Sequence, residues 1–172
     1  MRFPKAPLKI RGGYELKNRT KIKIEVSRDV APISKEYISA LSKTIRKWKK
    51  ILRLQDWEIR VQIVSPEAIE EGYIADVSAN YVYLQALIRI SSDAKVEWFD
   101  SIISHELLHI RIGVIRDKIR YLGNRITQQE YKIIMEAEEN VVEILSRILC
   151  ELLKVDNYHA KGRSRRWQEW KI

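Results

Sequence analysis

The stretch His105-Glu106-Leu107-Leu108-His109 decides how the rest of the chain is read. On an α-helix, residues four apart stand one above the other, so these two imidazoles can share one ion. Glu106 follows His105 by about a quarter turn, close enough to touch a water on that ion without binding the ion itself. The surroundings are helical. No Gly or Pro occurs between Asp93 and Ile112, and Trp98, Phe99, Ile102, Ile103, Leu107 and Leu108 recur at helical spacing. Asp93 is the expected N-cap, with Glu97 in the first turn. Two of the chain's three histidines lie in the motif. The alternative is a core helix on which two histidines fall in register by chance.

Working outward, Tyr81–Ile90 alternates and predicts a strand that feeds the helix. Val82, Leu84, Ala86, Ile88 and Ile90 are expected inward, and Tyr81, Tyr83, Gln85 and Arg89 outward. Trp57–Val64 alternates likewise through Trp57, Ile59, Val61 and Ile63, and shorter strands are expected in Lys21–Val26 and Tyr73–Val77. After Pro32 the spacing predicts a helix of about 20 residues that buries Ile38, Leu41, Ile45, Trp48 and Leu52. Its outer face, with Lys43, Arg46, Lys47, Lys49 and Lys50, either holds nucleic acid or is the solvated surface of a basic protein. Residues 1–20 form an extended basic N-terminal arm, marked by Pro4, Pro7, Gly12 and Gly13.

The chain has 172 residues, 45% hydrophobic and 32% charged, which suits one soluble domain with its own core. The single cysteine, Cys150, excludes an internal disulfide, and its apolar neighbours predict a buried, inert thiol. No apolar run reaches the length of a membrane span and Met1–Ile10 does not have the pattern of a signal peptide. The expectation is a cytoplasmic protein without a membrane partner. A net charge of +9 favours an acidic or polyanionic partner and specifies neither.

The motif resembles that of the zincin metallopeptidases, whose active-site helix carries it. The metzincin branch continues with Gly and His three and six residues past the second histidine, where this chain has Ile112 and Ile115. The resemblance is therefore to the gluzincin type, in which a Glu on a later helix is the third protein ligand. Three further stretches match small zincin-like domains of phage and microbial genomes. They are Asp56-Trp57-Glu58-Ile59-Arg60-Val61, Ile88-Arg89-Ile90 and Glu138-Glu139-Asn140-Val141-Val142-Glu143-Ile144-Leu145. What the resemblance implies is an α+β, zincin-like fold over residues 21–157, a small twisted sheet packed on the HExxH helix and on a second, ligand-bearing helix. It also implies a Zn²⁺ cofactor, a peptide or protein substrate, and Glu106 as the general base that activates water.

The ligand-bearing helix is expected from Thr127 to Lys154. At 100° per residue, Tyr131, Ile134, Val141, Val142, Leu145, Ile148, Leu149 and Leu152 form one broad apolar arc. Glu138 falls inside this arc, Glu139 at its edge, and Glu136 and Glu143 outside it. A carboxylate in a core face costs several kcal/mol unless it is paired or binds a metal. Glu138 is thus the expected third ligand beside His105 and His109, or the partner of an arginine such as Arg60 or Arg111. Glu139 is the second candidate, and Glu136 and Glu143 are expected on the solvated surface. Tyr121, Tyr131 and His159 are candidate oxyanion stabilisers. Residues 158–172 form a basic aromatic tail, with Lys161, Arg163, Arg165 and Arg166 near Trp167 and Trp170, suited to a polyanion or folded back on the domain. The competing functional expectation is a catalytically weak or inactive zincin-fold binding protein associated with nucleic acid.

Overall fold

The alternations of the sequence become strands, and their order places the helices. In the computed structural model, which describes residues 11–15, 22–114, 118–119 and 126–154, five strands form one sheet. They are β1 (Arg11–Glu15), β2 (Ile22–Val26), β3 (Glu58–Val64), β4 (Ala75–Asn80) and β5 (Gln85–Ser91), in the order β1-β2-β3-β5-β4. β2, β3 and β5 run parallel, with Ile24, Val61 and Ile88 in one row. β1 and β4 pair antiparallel at the two edges. That row is fully buried, as are Ile59, Ile63 and Ile90 beside it. The residues between them carry ion pairs, Lys23–Glu25, Arg60–Glu58 and Arg89–Asp76. One face of the sheet therefore packs throughout, and the other is more polar and partly exposed, with Gln62, Val64 and Ser91 buried on it.

The packed face is covered by α1 (Lys35–Ile51) and α2 (Phe99–Ile112). Ser34 caps α1 by accepting the Tyr37 N–H at 3.1 Å. Its expected inner stripe, Ile38, Leu41, Ile45, Trp48 and Leu52, is buried throughout. Lys49, expected on the basic outer face, is buried instead. The chain folds back after Leu52, and Lys49 Nζ donates to the Trp57 carbonyl at 2.6 Å as β3 begins. Trp48 Nε1 and Lys47 Nζ both donate to Asp100 Oδ1, at 2.6 and 2.8 Å, which ties α1 to the first turn of α2.

α2 begins later than the expected N-cap at Asp93. The segment leaving β5 is held as a turn, with the Asp93 N–H on Ser91 Oγ and the Ala94 N–H on the Ser91 carbonyl. A 3₁₀ turn, Val96–Trp98, then leads into the helix. The strand expected at Tyr81–Ile90 also starts late, at Gln85. Asn80 Oδ1 accepts the N–H groups of Val82 and Tyr83 at 3.1 and 3.2 Å, and Leu84 takes a left-handed φ of 51°. This side-chain-capped turn diverts residues 81–84 from the ladder. Val82 and Leu84, expected inward, are exposed. Tyr81, expected outward, turns in. Its ring meets Trp57 edge-on at 5.3 Å between centroids, and its hydroxyl donates to the His109 carbonyl at 3.3 Å.

α3 (Gln128–Leu152) is opened by a reciprocal cap, in which Thr127 accepts the Glu130 N–H and the Glu130 carboxylate accepts the Thr127 N–H. It packs on α2. The architecture is α+β, a small mixed open sheet with its helices on one side. Part of the expected N-terminal arm, Arg11–Glu15, belongs to the sheet. Residues 1–10 and 16–20 of that arm and the tail 158–172 lie outside the described residues. Among the described residues, no helix is long and apolar enough to cross a membrane.

α2 is the helix on which the core closes, and Ile103 in its middle is fully buried. Ile103→Ala should destabilise the protein by about 2–5 kcal/mol. The urea midpoint should fall with an unchanged slope. A loss below about 1 kcal/mol would contradict this position in the core.

Candidate metal centre

The contact between α2 and α3 is built from small side chains. Ser104 Oγ donates to the Ser101 carbonyl at 3.0 Å, so in its 2.9 Å contact with Ser146 Oγ it is the acceptor. Cys150 Sγ lies 3.6 Å from the same oxygen, and Val142 is fully buried beside them. Cys150 is the buried thiol expected from the sequence, and burial pushes its pKa up. Ser104 meets Ser146 and Cys150 while His109 meets Glu138, so the two helices run antiparallel. Short side chains let the helices approach closely, and the longer histidines and glutamates further along then meet across the gap.

His105 Nε2 and His109 Nε2 point at each other at 3.1 Å. The Glu139 carboxylate faces both, with Oε1 3.2 Å from His105 Nε2 and Oε2 3.1 Å from His109 Nε2. These three side chains form a group that could hold a metal ion. The separations fit such an ion, because ligand atoms about 2.0–2.1 Å from a tetrahedral centre stand about 3.3 Å from one another. The chemistry fits as well. Two imidazole nitrogens with lone pairs can face each other only across a proton or a cation.

Glu138 occupies a different place from the one expected. Its Oε1 is 3.2 Å from His109 Nδ1, on the far side of the ring from Nε2. With Nδ1–H donating to Glu138, the Nε2 lone pair of His109 is directed toward Glu139 and His105. Arg60, one of its expected alternative partners, pairs with Glu58. The Glu138 side chain is 7% exposed, buried as expected. The side of α3 that meets α2 carries Val142, Glu143, Ser146 and Cys150, whereas Val141, Leu145, Ile148 and Leu152 of the expected arc are exposed. The packed face is therefore rotated from the apolar arc, and Glu139, with a side chain one-third exposed, reaches the histidines from its rim.

Glu143 is also corrected. Expected on the surface, it is buried, with Oε2 3.9 Å from His105 Nδ1 and Oε1 accepting from Arg147 at 3.3 Å. The signal in the sequence was its spacing, since Glu139 and Glu143 repeat the four-residue step of His105 and His109 on the facing helix. Glu136 is exposed, as expected, and pairs with Lys132. Glu106 is buried on α2, and its charge acts on His109. Tyr131 stands two turns before Glu139, about 12 Å along the helix axis. Tyr121 and His159 lie outside the described residues.

The electrostatics follow from this crowding of carboxylates around imidazoles. Burial alone lowers the His109 pKa, but hydrogen bonds to Glu138 and Glu139 and the nearby charges of Glu106 and Glu139 outweigh it and raise the value to about 9. Glu139 shows the mirror effect. Burial raises its pKa, but His105 and His109 hold the carboxyl well below the usual carboxylate range.

Comparison of the chain with protein-family models, with curated proteins and with solved structures returns no match.

Without a metal, His109 keeps its proton at pH 7, and a cation must displace it. Affinity for zinc or cobalt should therefore rise with pH and level off near pH 9, with proton release on binding. Calorimetric titration in two buffers of different ionisation heat measures that release. An affinity that stays flat from pH 6.5 to 9 would sink this account.

Proposed function

We propose that the protein is a zinc-dependent peptidase of zincin-like type, with His105, His109 and Glu139 as the protein ligands and Glu106 as the general base. The observation that carries this reading is the convergence of one α3 carboxylate with two Nε2 atoms from the helix that also bears Glu106. A zinc ion bound there supplies Lewis acidity, which polarises a carbonyl and makes water nucleophilic near neutral pH.

The remaining steps belong to the chain's own residues. Glu106 takes a proton from water and passes it to the leaving amine. Glu138 holds the His109 ring through Nδ1, and Glu143 approaches the Nδ1 of His105. The Glu139 side chain is one-third exposed, against about one-eighth for either histidine, so the centre opens to solvent on the Glu139 side. An extended substrate has a sheet edge to use. β5 is paired on both sides, and the open edge belongs to β4, which packs against α2. A peptide added along β4 gains backbone hydrogen bonds there.

The competing reading, a metal-binding module associated with nucleic acid, draws on exposed Lys43, Arg46 and Lys50 of α1. That reading makes no use of Glu106 as a base.

Three variants test the assignment. Glu106→Gln should keep zinc stoichiometry and lose peptide hydrolysis by about 10²–10⁴-fold. Glu139→Ala should lower zinc affinity by orders of magnitude, and Glu138→Ala by about ten- to a hundredfold. Competition with a chelator under one buffer measures both affinities. The reverse order of effects would return the ligand role to Glu138. Hydrolysis by Glu106→Gln at the wild-type rate would reject the peptidase mechanism.

A further inference from the structure

α3 has two working faces, and the metal centre uses only one. On the other, Ile133, Val141, Ile144, Leu145, Ile148 and Leu152 are 37–73% exposed. Together with Ile134 and Ala137 they make a stripe with heptad spacing, in which Ile134, Val141 and Ile148 alternate with Ala137 and Ile144 at steps of three and four. From Ile133 to Leu152 the stripe is about 28 Å long. Its exposed side-chain surface is on the order of 600 Å², at the upper end of what a monomer leaves open. A helix with apolar residues on two opposite faces belongs inside an assembly.

We propose that this stripe pairs with the same stripe of a second copy of the chain, antiparallel, about a two-fold axis between Val142 and Glu143. Three observations select that occupant. First, the stripe is complementary to itself. With the axis there, Val141 meets Ile144 of the second copy and Ala137 meets Ile148, while Ile134 lies level with Glu151 at each end of the seam. Second, the charges favour the antiparallel sense. Glu130, Glu136, Glu138 and Glu139 outnumber Lys132 in the N-terminal half of α3, whereas Arg147 and Lys154 balance Glu143 and Glu151 in or just past its C-terminal half. Antiparallel pairing sets these opposite charges alongside one another and opposes the helix dipoles. Parallel pairing would stack each charge on its own copy. Third, two such faces together offer on the order of 1,000 Å², the area a specific interface requires. Residues 155–172 are a poorer cover. Their Val155, Tyr158, Trp167, Trp170 and Ile172 are spread among Lys161, Arg163, Arg165, Arg166 and Lys171, without the heptad spacing that would match the stripe.

The pairing is independent of the metal, because the seam holding His105, His109 and Glu139 lies on the opposite side of α3. Light scattering of the full chain at tens of micromolar should give twice the monomer mass. The double variant Ile144→Asp/Ile148→Asp should give the monomer mass, with unchanged circular dichroism and one zinc per chain. Oxidised Ala137→Cys/Ile148→Cys should form a covalent dimer, because the two positions meet only between copies. Ile148→Cys alone should not, since its copies stand about 16 Å apart along the axis in this register. A wild-type chain that is monomeric in solution would overturn the proposal. So would efficient cross-linking by Ile148→Cys alone, which would show a parallel pair.

Discussion

The close approach of α2 and α3 is the constraint on which the rest depends. Ser104, Ser146 and Cys150 meet where most helix pairs would place leucines. An imidazole and a carboxylate on neighbouring helices can share hydrogen-bond distances only if the backbones come near enough for their short reach. A wider seam filled by large apolar side chains would hold the helices more generically and leave His105 and His109 facing nothing. The serines meet the cost of their own burial by bonding to each other and to the Ser101 carbonyl.

That seam concentrates negative charge within a basic protein. Glu106, Glu138, Glu139 and Glu143 all lie close to the two imidazoles, and Glu143 also accepts from Arg147. Buried carboxylates at this density require compensating positive charge. Protonated histidine supplies it in the metal-free protein, which is why His109 holds its proton so far above the ordinary range. A divalent cation would supply the same charge from a better position, and the structure offers it three donors at suitable separations. Protonation and metal occupancy are alternative answers to one electrostatic demand.

The same helix explains why its own sequence is misleading. α3 carries small and polar residues where it meets α2, and large aliphatic ones where it meets nothing within the described residues. Hydrophobicity normally marks the inward face, so the rule points to the wrong side here. Both faces are apolar enough to be buried, which is the pattern of a helix placed between two partners.

Much of the protein was set by local sequence. Alternation fixed β3 and the inner row of β5, helical spacing fixed α1 and its buried stripe, and the four-residue step placed His105 and His109 together with Glu106 beside them. Thr127 and Glu130 marked the start of α3 by their capping chemistry. These features depend on neighbours within one or two turns. Tertiary structure decided the remainder. Lys49 is buried because the chain returns across it, Tyr81 turns inward because Asn80 captures the backbone after it, and β5 is central because β4 takes the edge. The choice between Glu138 and Glu139 is a rotation of one residue about a helix axis. Periodicity cannot resolve it, because both carboxylates reach the facing helix, and only the packing of two helices sets Glu139 against the two Nε2 atoms and Glu138 against Nδ1 of His109.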